Sequence, residues 1–191
     1  MLVTFRIVDT QSRLHTKPAT ITARQLAKLA AILRDYRIVI DADQGEIEHL
    51  PINFEFNANS IALAKLAGLF DWRDDIIAIV EEGQFLGRSL RVQRVAESTD
   101  IQLCVSEHIA LASDMRLRES TAAKLFSAIG INPGTRTSIS IDRLRDLLRQ
   151  PSMVKAFEDL QIRTIYDQLA MTSSTDCGEQ IPRLEWNHEM A

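Results

Sequence analysis

The sequence predicts an α+β fold, and three observations along the chain indicate it. Near the N-terminus, apolar and polar residues alternate as in a half-buried strand. A segment with helical periodicity and a capping signal follows, and a second alternating segment comes after it. From Asp100 onward the pattern becomes helical. A chain of 191 residues with 46% apolar residues is long enough for one large domain or two small ones.

The first two elements are predicted to be a strand and a helix. In LVTFRIVD the side chains alternate with period two, which is typical of a strand with one buried face. In TARQLAKLAAILRDYR the apolar residues share one helical face, and Thr22 with Gln25 forms a capping box. A helix beginning earlier, at Thr16 or Lys17, is the alternative, although it would contain a β-branched run.

A β-hairpin is predicted next. RIVID forms its first strand, Asp43–Gly45 the tight turn, and the alternation of Ile52, Phe54 and Phe56 the second strand.

Three further elements complete the first half of the chain. Asn57–Ser60 supplies helix-start residues before IALAKLAGLF, which predicts a short second helix. DDIIAIVEEG is interpreted as an apolar strand ended by Gly83, and QFLGRSLRVQRVAES as a third helix. The predicted order up to about Ser98 is therefore β-α-β-β-α-β-α.

The second half of the chain is predicted to be mostly helical. SDMRLRESTAAKLFSAIG forms a helix closed by Gly130, Ser140 caps IDRLRDLLRQ, and Pro151 starts a helix that continues to Met171. The Ser, Thr and Gly residues after Thr172 predict a flexible tail.

The predicted organisation has three parts. Residues 1–98 form a first domain, residues 99–171 a helical unit, and residues 172–191 a tail.

Charge and cysteine content exclude several classes of protein. The net charge is −4 and neither half of the chain is a polycation, so we expect no nucleic-acid or acidic-lipid partner. Arginines of the second half alternate with carboxylates, which suits surface ion pairs: Arg116, Arg118, Arg143, Arg145 and Arg149. The two cysteines, Cys104 and Cys177, favour a reducing compartment. With no apolar run long enough for a membrane span, a cytoplasmic protein is predicted.

Few residues carry a recognisable chemical pattern. His49, His108 and His188 are dispersed and lack metal-ligand spacing, so no metal site and no cofactor are predicted. The pairs Asp74-Asp75 and Glu81-Glu82 are interpreted as solvated edges of a strand. Because no phosphate loop or nucleophile elbow is present either, a complete enzyme active site is not visible.

Two motifs carry a resemblance to a known family. LHTKPAT lies between the first strand and the first helix, and NANSIALAKLAG lies at the start of the second helix. Over about residues 1–98 the chain resembles the histidine-containing phosphocarrier protein HPr of the bacterial sugar phosphotransferase system. This resemblance implies an open-faced β-sandwich, a four-stranded antiparallel sheet with helices on one face. The helical C-terminal unit lies outside the resemblance.

The resemblance also implies roles for particular residues. His15 would accept the phosphoryl group, since imidazole is neutral near pH 7, and Lys17 would stabilise it together with N–H groups at a helix start. Ser60 corresponds to the family's regulatory serine, where added charge would obstruct docking. The implied partner-binding residues are Thr16, Leu63 and Leu66. The expected partners are phosphoryl donor and acceptor proteins. For the C-terminal helices, about which the resemblance says nothing, three roles are open: mediating a homodimer, binding a specific client, or masking the histidine.

Three departures from the family pattern leave a second hypothesis open, and one of them is length, since the segment between His15 and the predicted second strand is longer than in the family. Arg13 stands where the family has glycine, and Lys17 replaces an arginine, whose planar fork binds phosphate better. The alternative to a phosphocarrier or phosphotransfer regulator is therefore a non-phosphorylated binding or scaffolding protein with the same sandwich. A first helix that begins within a residue or two of His15 favours the carrier, and one that begins after Thr22 favours the binding protein.

Overall fold

The structure, a computed structural model, describes residues 1–42, 53–134 and 137–189. The strands are β1 (Leu2–Val8), β2 (Ala19–Ile21), β3 (Asp41–Ala42), β4 (Phe54–Asn57), β5 (Ser89–Arg94), β6 (Ile101–Val105), β7 (Met115–Arg118), β8 (Ser138–Ser140) and β9 (Arg183–Glu189). The helices are α1 (Ala23–Asp35), α2 (Leu63–Leu69), α3 (Asp74–Phe85), α4 (Glu119–Ala128), α5 (Ile141–Leu148), α6 (Pro151–Asp159) and α7 (Arg163–Ser173). A 3-10 turn, Ala58–Ser60, precedes α2.

The described strands form two antiparallel sheets, which confirms the predicted α+β class. One sheet has four strands in the order β7-β1-β9-β8, and the other has five in the order β2-β6-β5-β4-β3. The chain accordingly divides into two compact units. We call residues 13–110, with the five-stranded sheet, the inserted unit, and residues 1–12 together with 111–191 the flanking unit.

Helices cover one face of the inserted unit's sheet. Alternate sheet residues such as Phe54, Leu90 and Leu103 are fully or almost fully buried in one core with side chains of α1, α2 and α3. Burial of large apolar side chains contributes roughly 1.5–3 kcal/mol each, so this face holds the unit together. The resemblance implied a four-stranded antiparallel sheet that includes the first strand, whereas this sheet has five strands and does not include β1.

The flanking unit has its own core, which is built around three aromatic rings. Phe5 of β1, Phe126 of α4 and Trp186 of β9 are buried, with ring centroids 5.2–6.3 Å apart. Tilted aromatic pairs at such distances add attraction to their area burial. These contacts join the first residues of the chain to its last strand.

The predicted place of the first strand is wrong. β1 forms as predicted, but it pairs with β7 and β9, so it belongs to the flanking unit and not to the sheet that follows His15. The predicted domain of residues 1–98 therefore differs from the observed division, in which the chain leaves the flanking unit after Ser12 and returns at Leu111.

Two neighbouring elements were predicted with their types exchanged. DDIIAIVEEG is helix α3, because Ile76, Ile79, Val80 and Gly83 fall at helical spacing and form its buried face. Asp74 and Asp75 in its first turn stabilise the helix, because negative charges interact favourably with the positive end of the helix dipole. Gly87, with φ of 62°, follows α3, and the next segment forms strand β5 with alternating burial.

The second half of the chain contains more strand than predicted. β6 and β7 occupy segments that were expected to belong to helical structure. The predicted helix from Pro151 to Met171 is in fact two helices, α6 and α7, which are separated at Gln161, whose φ is 58°. The predicted flexible tail contains β9, which pairs with β1 along seven residues. Hydrogen bonding to β1 and burial of Leu184 and Trp186 order this segment.

Other predictions are confirmed by the described residues. α1 begins after Thr22, α5 is capped by Ser140, and Phe54 and Phe56 lie in a strand, β4. β4 pairs antiparallel with β3, but the predicted strand RIVID is wrong in its bounds, because residues 37–40 are not in a strand and β3 is Asp41–Ala42. The predicted turn Asp43–Gly45 and Ile52 lie outside the described residues. Within the described parts of the chain, no helix has the length and apolarity needed to cross a membrane.

Candidate functional site

His15 lies in the loop that connects β1 to β2. Its side chain is exposed, as is that of Lys17, whereas Thr16 between them is half-buried. Among the described residues, Lys17 forms no ion pair. We call residues 13–18 the histidine loop.

The helix that follows starts too far away to face His15. Thr22 is its N-cap, and the Gln25 N–H donates to Thr22 Oγ1 at 3.2 Å while the Thr22 N–H donates to Gln25 Oε1 at 3.0 Å. Residues 16–22 separate His15 from Ala23, the first helical residue, and three of them form β2. Because the effect of a helix dipole decays within the first turn, α1 offers little stabilisation to a charge on His15.

A carboxylate of α3 instead holds the histidine loop. Glu82 Oε1 accepts the backbone N–H of His15 at 2.6 Å, and Glu82 Oε2 accepts the Thr16 N–H at 3.0 Å and the Thr16 hydroxyl at 2.5 Å. Three donors of two consecutive residues therefore converge on one side chain. Charge-assisted bonds of this kind are stronger than neutral ones.

The protonation of Glu82 follows from these bonds. Partial burial raises the pKa of its carboxyl, but the hydrogen bonds from Thr16 and His15 and the nearby charge of His15 outweigh burial, so the pKa is lowered. Glu82 is thus an anion at neutral pH. It fills the place that a phosphoryl group would need in order to use the same N–H groups. Glu82 was interpreted from the sequence as a solvated edge residue, and this interpretation is wrong.

Ser60 lies in the 3-10 turn and not at the start of α2, which begins three residues later. It is exposed, and its hydroxyl donates to the Asn57 carbonyl at 2.5 Å. The turn packs on the end of α3, because Gln84 Nε2 donates to the carbonyls of Ala58 and Ile61 at 3.0 Å. Ser60 and His15 therefore both lie in segments that contact α3.

The three residues implied in partner binding have different environments. Leu66 is fully buried in the core of the inserted unit, so its side chain packs α2 and cannot touch a partner, which corrects the sequence interpretation. Leu63 is half-buried against the same core. Thr16 is half-buried, and its hydroxyl is already donated to Glu82.

A buried polar network, which the sequence did not reveal, lies around Glu55 on β4. Glu55 Oε1 accepts bonds from Arg91 at 2.6 Å and from the Ser106 hydroxyl at 2.7 Å, and Oε2 is 3.5 Å from His108 Nδ1. Burial raises the pKa of Glu55, but His108, Arg91 and Ser106 together lower it to about 2. His108 was interpreted as an ordinary polar residue, and no sequence spacing connects it to Glu55.

This network does not have the arrangement of a nucleophilic site. The Ser89 hydroxyl is 3.2 Å from His108 Nδ1, the same ring nitrogen that faces Glu55, whereas a catalytic histidine contacts its nucleophile and its carboxylate through different nitrogens. Ser89 is also buried. Burial raises the pKa of neighbouring Cys104, which keeps it a thiol. The network instead joins β4 to β5 through the ion pair between Glu55 and Arg91, at 2.5 Å. In the described residues no group of three potential metal ligands occurs.

The flanking unit contains an apolar groove of about 450 Å³ beside α4. Val3, Ala122, Phe126 and Ile131 contribute apolar side chains to its lining, and His188 also lines it. His188 was interpreted as an ordinary polar residue, and it belongs to no group of three potential metal ligands among the described residues.

The fold and these contacts define an α+β protein with two antiparallel sheets. No family model matches the chain, and neither a curated protein nor a solved structure matches it.

Proposed function

We propose that this protein is a binding protein that acts through protein-protein contacts and does not carry a phosphoryl group on His15. The observation that most directly supports this proposal is the hydrogen bond from the His15 N–H to Glu82, at 2.6 Å. Thr16 donates two more bonds to the same carboxylate. A phosphoryl group on the imidazole would be placed near this carboxylate, where repulsion between like charges disfavours it. The start of α1 after Thr22 supports the same choice.

The surface proposed for binding consists of the exposed side chains of His15 and Lys17 together with Phe85. Phe85 is 89% exposed, and it lies one helical turn from Glu82 on α3, so it is adjacent to the residue that holds the histidine loop. A large exposed aromatic ring next to the residue that holds the histidine loop, which carries the cationic side chain of Lys17, suits a partner that presents an apolar side chain flanked by carboxylates.

A photo-crosslinking amino acid at position 85 tests this proposal in cells that produce the full chain. A matched crosslinker at Lys155, an exposed residue of α6, is the control. We expect a discrete protein adduct at position 85 that is absent at position 155 and weakened at least fivefold by Lys17→Glu. Equal adducts at the two positions would show that the surface has no specific partner.

A phosphocarrier is the second candidate function. The exposed imidazole of His15 favours it, since transfer between proteins requires an accessible ring, and Lys17 is exposed in the same loop. In that case the partners would be phosphoryl donor and acceptor proteins, and Ser60 would be the regulatory position. Incorporation of acid-labile phosphate distinguishes the two candidates.

A further inference from the structure

A polar cleft of about 640 Å³ lies at one edge of the flanking unit's sheet. β8 is the edge strand there, and its Ser138 and Ser140 line the cleft together with Thr137, Arg143 of α5 and Arg183 of β9. The volume is in the range of sites that bind small molecules.

One of the two arginines is held in position by the sheet. Arg183 pairs with Ser140 in the β8-β9 register, and its Nε donates to the Ser138 hydroxyl at 3.0 Å. This bond fixes the side chain along the strand while leaving its two terminal nitrogens for other acceptors. Arg183 is half-buried, so its guanidinium is partly shielded from water.

Arg143 and Arg183 both lack a carboxylate partner among the described residues. Other arginines of the same unit are paired: Arg145 with Asp142 at 3.0 Å, Arg149 with Asp146 at 3.8 Å. The sequence predicted that Arg143 would take part in such pairs, and the structure corrects this. The described lining of the cleft thus contains two cations and no carboxylate.

The donors in the cleft outnumber what a single carboxylate can accept. Two guanidinium groups and three hydroxyls line it, and the hydroxyls of Ser138 and Ser140 accept bonds through oxygen, so their hydrogens remain available to a ligand. A phosphate group has three terminal oxygens and matches the planar fork of arginine. The start of α5 is not part of the argument, because Ser140 already accepts the Arg143 N–H.

We propose that this cleft binds the phosphate group of a small phosphorylated molecule, with Arg183 and Arg143 as its cationic ligands. The site is independent of the histidine loop, which belongs to the inserted unit. The cleft volume leaves room for more than the phosphate group itself.

Calorimetric titration of the full chain with pyrophosphate at low ionic strength tests the site. We expect saturable binding at one site, weakened at least tenfold by Arg183→Gln and by Arg143→Gln. Arg149→Gln, which removes an exposed arginine outside the cleft, should bind as the native protein does. Arg143→Gln keeps the test valid if Arg183→Gln fails to fold, because its exposed side chain makes no described contact.

Two parallel titrations define the ligand class. Citrate tests for a carboxylate site and sulfate for binding that depends on charge alone, and we expect both to bind at least fivefold more weakly than pyrophosphate. Absence of saturable pyrophosphate binding, equal weakening by Arg149→Gln, or equal binding of citrate or sulfate would each overturn the proposal.

Discussion

The carboxylate of Glu82 accepts the backbone N–H of His15 at 2.6 Å, although 67 positions separate the two residues in sequence. The bond ties the histidine loop to the end of α3, next to the exposed ring of Phe85. An anion supplied by the protein itself therefore occupies the donors that would otherwise be free to bind an external one.

Replacing Glu82 by Gln should release the histidine loop. A glutamine is uncharged, so its bonds to the His15 and Thr16 N–H groups would be weaker, and we expect these two amides to exchange with solvent at least fivefold faster. Hydrogen exchange followed by NMR measures this directly. Glu81→Gln is the matched control, because Glu81 is exposed and neighbours Glu82 on the same helix. Unchanged exchange in Glu82→Gln would contradict the described bonds.

Two glycine substitutions in helices should change stability in opposite directions. A Cβ at Gly83 would lie 2.8 Å from Leu90 Cδ2 and 3.2 Å from Ala58 Cβ in a buried layer, so Gly83→Ala should destabilise the protein by about 1–3 kcal/mol. A Cβ at exposed Gly68 meets only the Trp72 ring at 3.9 Å. Gly68→Ala should therefore stabilise α2 by roughly 0.5–1 kcal/mol. Urea denaturation measures both, and a stabilising Gly83→Ala would be incompatible with the α3 packing.

Loss of the α1 cap should cost about 1 kcal/mol. Thr22→Ala removes the oxygen that accepts the Gln25 N–H, and such replacements cost roughly 0.5–2 kcal/mol. Thr20→Ala, at an exposed position of β2, should change the free energy of unfolding by less than about 0.5 kcal/mol. A Thr22→Ala variant as stable as Thr20→Ala would mean that α1 does not depend on this capping box.

Glu55 should make the protein sensitive to acid. Its pKa falls from 4.5 to about 2 in the folded state, a difference that corresponds to roughly 3 kcal/mol. Because the folded pKa is depressed, this stabilisation is fully present above about pH 4.5 and is lost as the pH falls toward 2. Glu55→Gln should therefore show a shallower loss of stability between pH 5 and 2. The same slope in the native protein, in Glu55→Gln and in the exposed control Glu97→Gln would refute this role.

The sequence could predict elements whose signals are local. The Thr22 capping box and the Ser140 cap each lie within four residues, and both helices begin where these caps place them. The exchange of α3 and β5 arose because a short apolar run is compatible with either element when its partners are unknown. The buried face of α3 is set by the sheet beneath it, which only the fold supplies.

Contacts between distant residues could not be predicted. The pairing of β9 with β1 joins the two ends of the chain, and the sequence of the last strand, with its charged and polar residues, resembles a flexible tail when read alone. The bond between Glu82 and His15 could not be predicted for the same reason, since no residue near Glu82 in sequence indicates that it contacts His15. The motifs around His15 and Ser60 are short local stretches of sequence, so they could indicate a resemblance to a family. They could not reveal the contacts with α3 that determine what His15 can do.

Phosphoryl transfer to His15 tests the central claim most directly. The native protein, His15→Ala and an authentic phosphocarrier as positive control would be incubated with phosphoenolpyruvate and the donor enzyme of a phosphotransferase system, and acid-labile phosphate measured by mass spectrometry under alkaline conditions. We predict complete labelling of the control and no labelling of the native protein above the level of His15→Ala. Stoichiometric phosphate on the native protein that His15→Ala abolishes would contradict the claim that Glu82 holds this loop for binding alone.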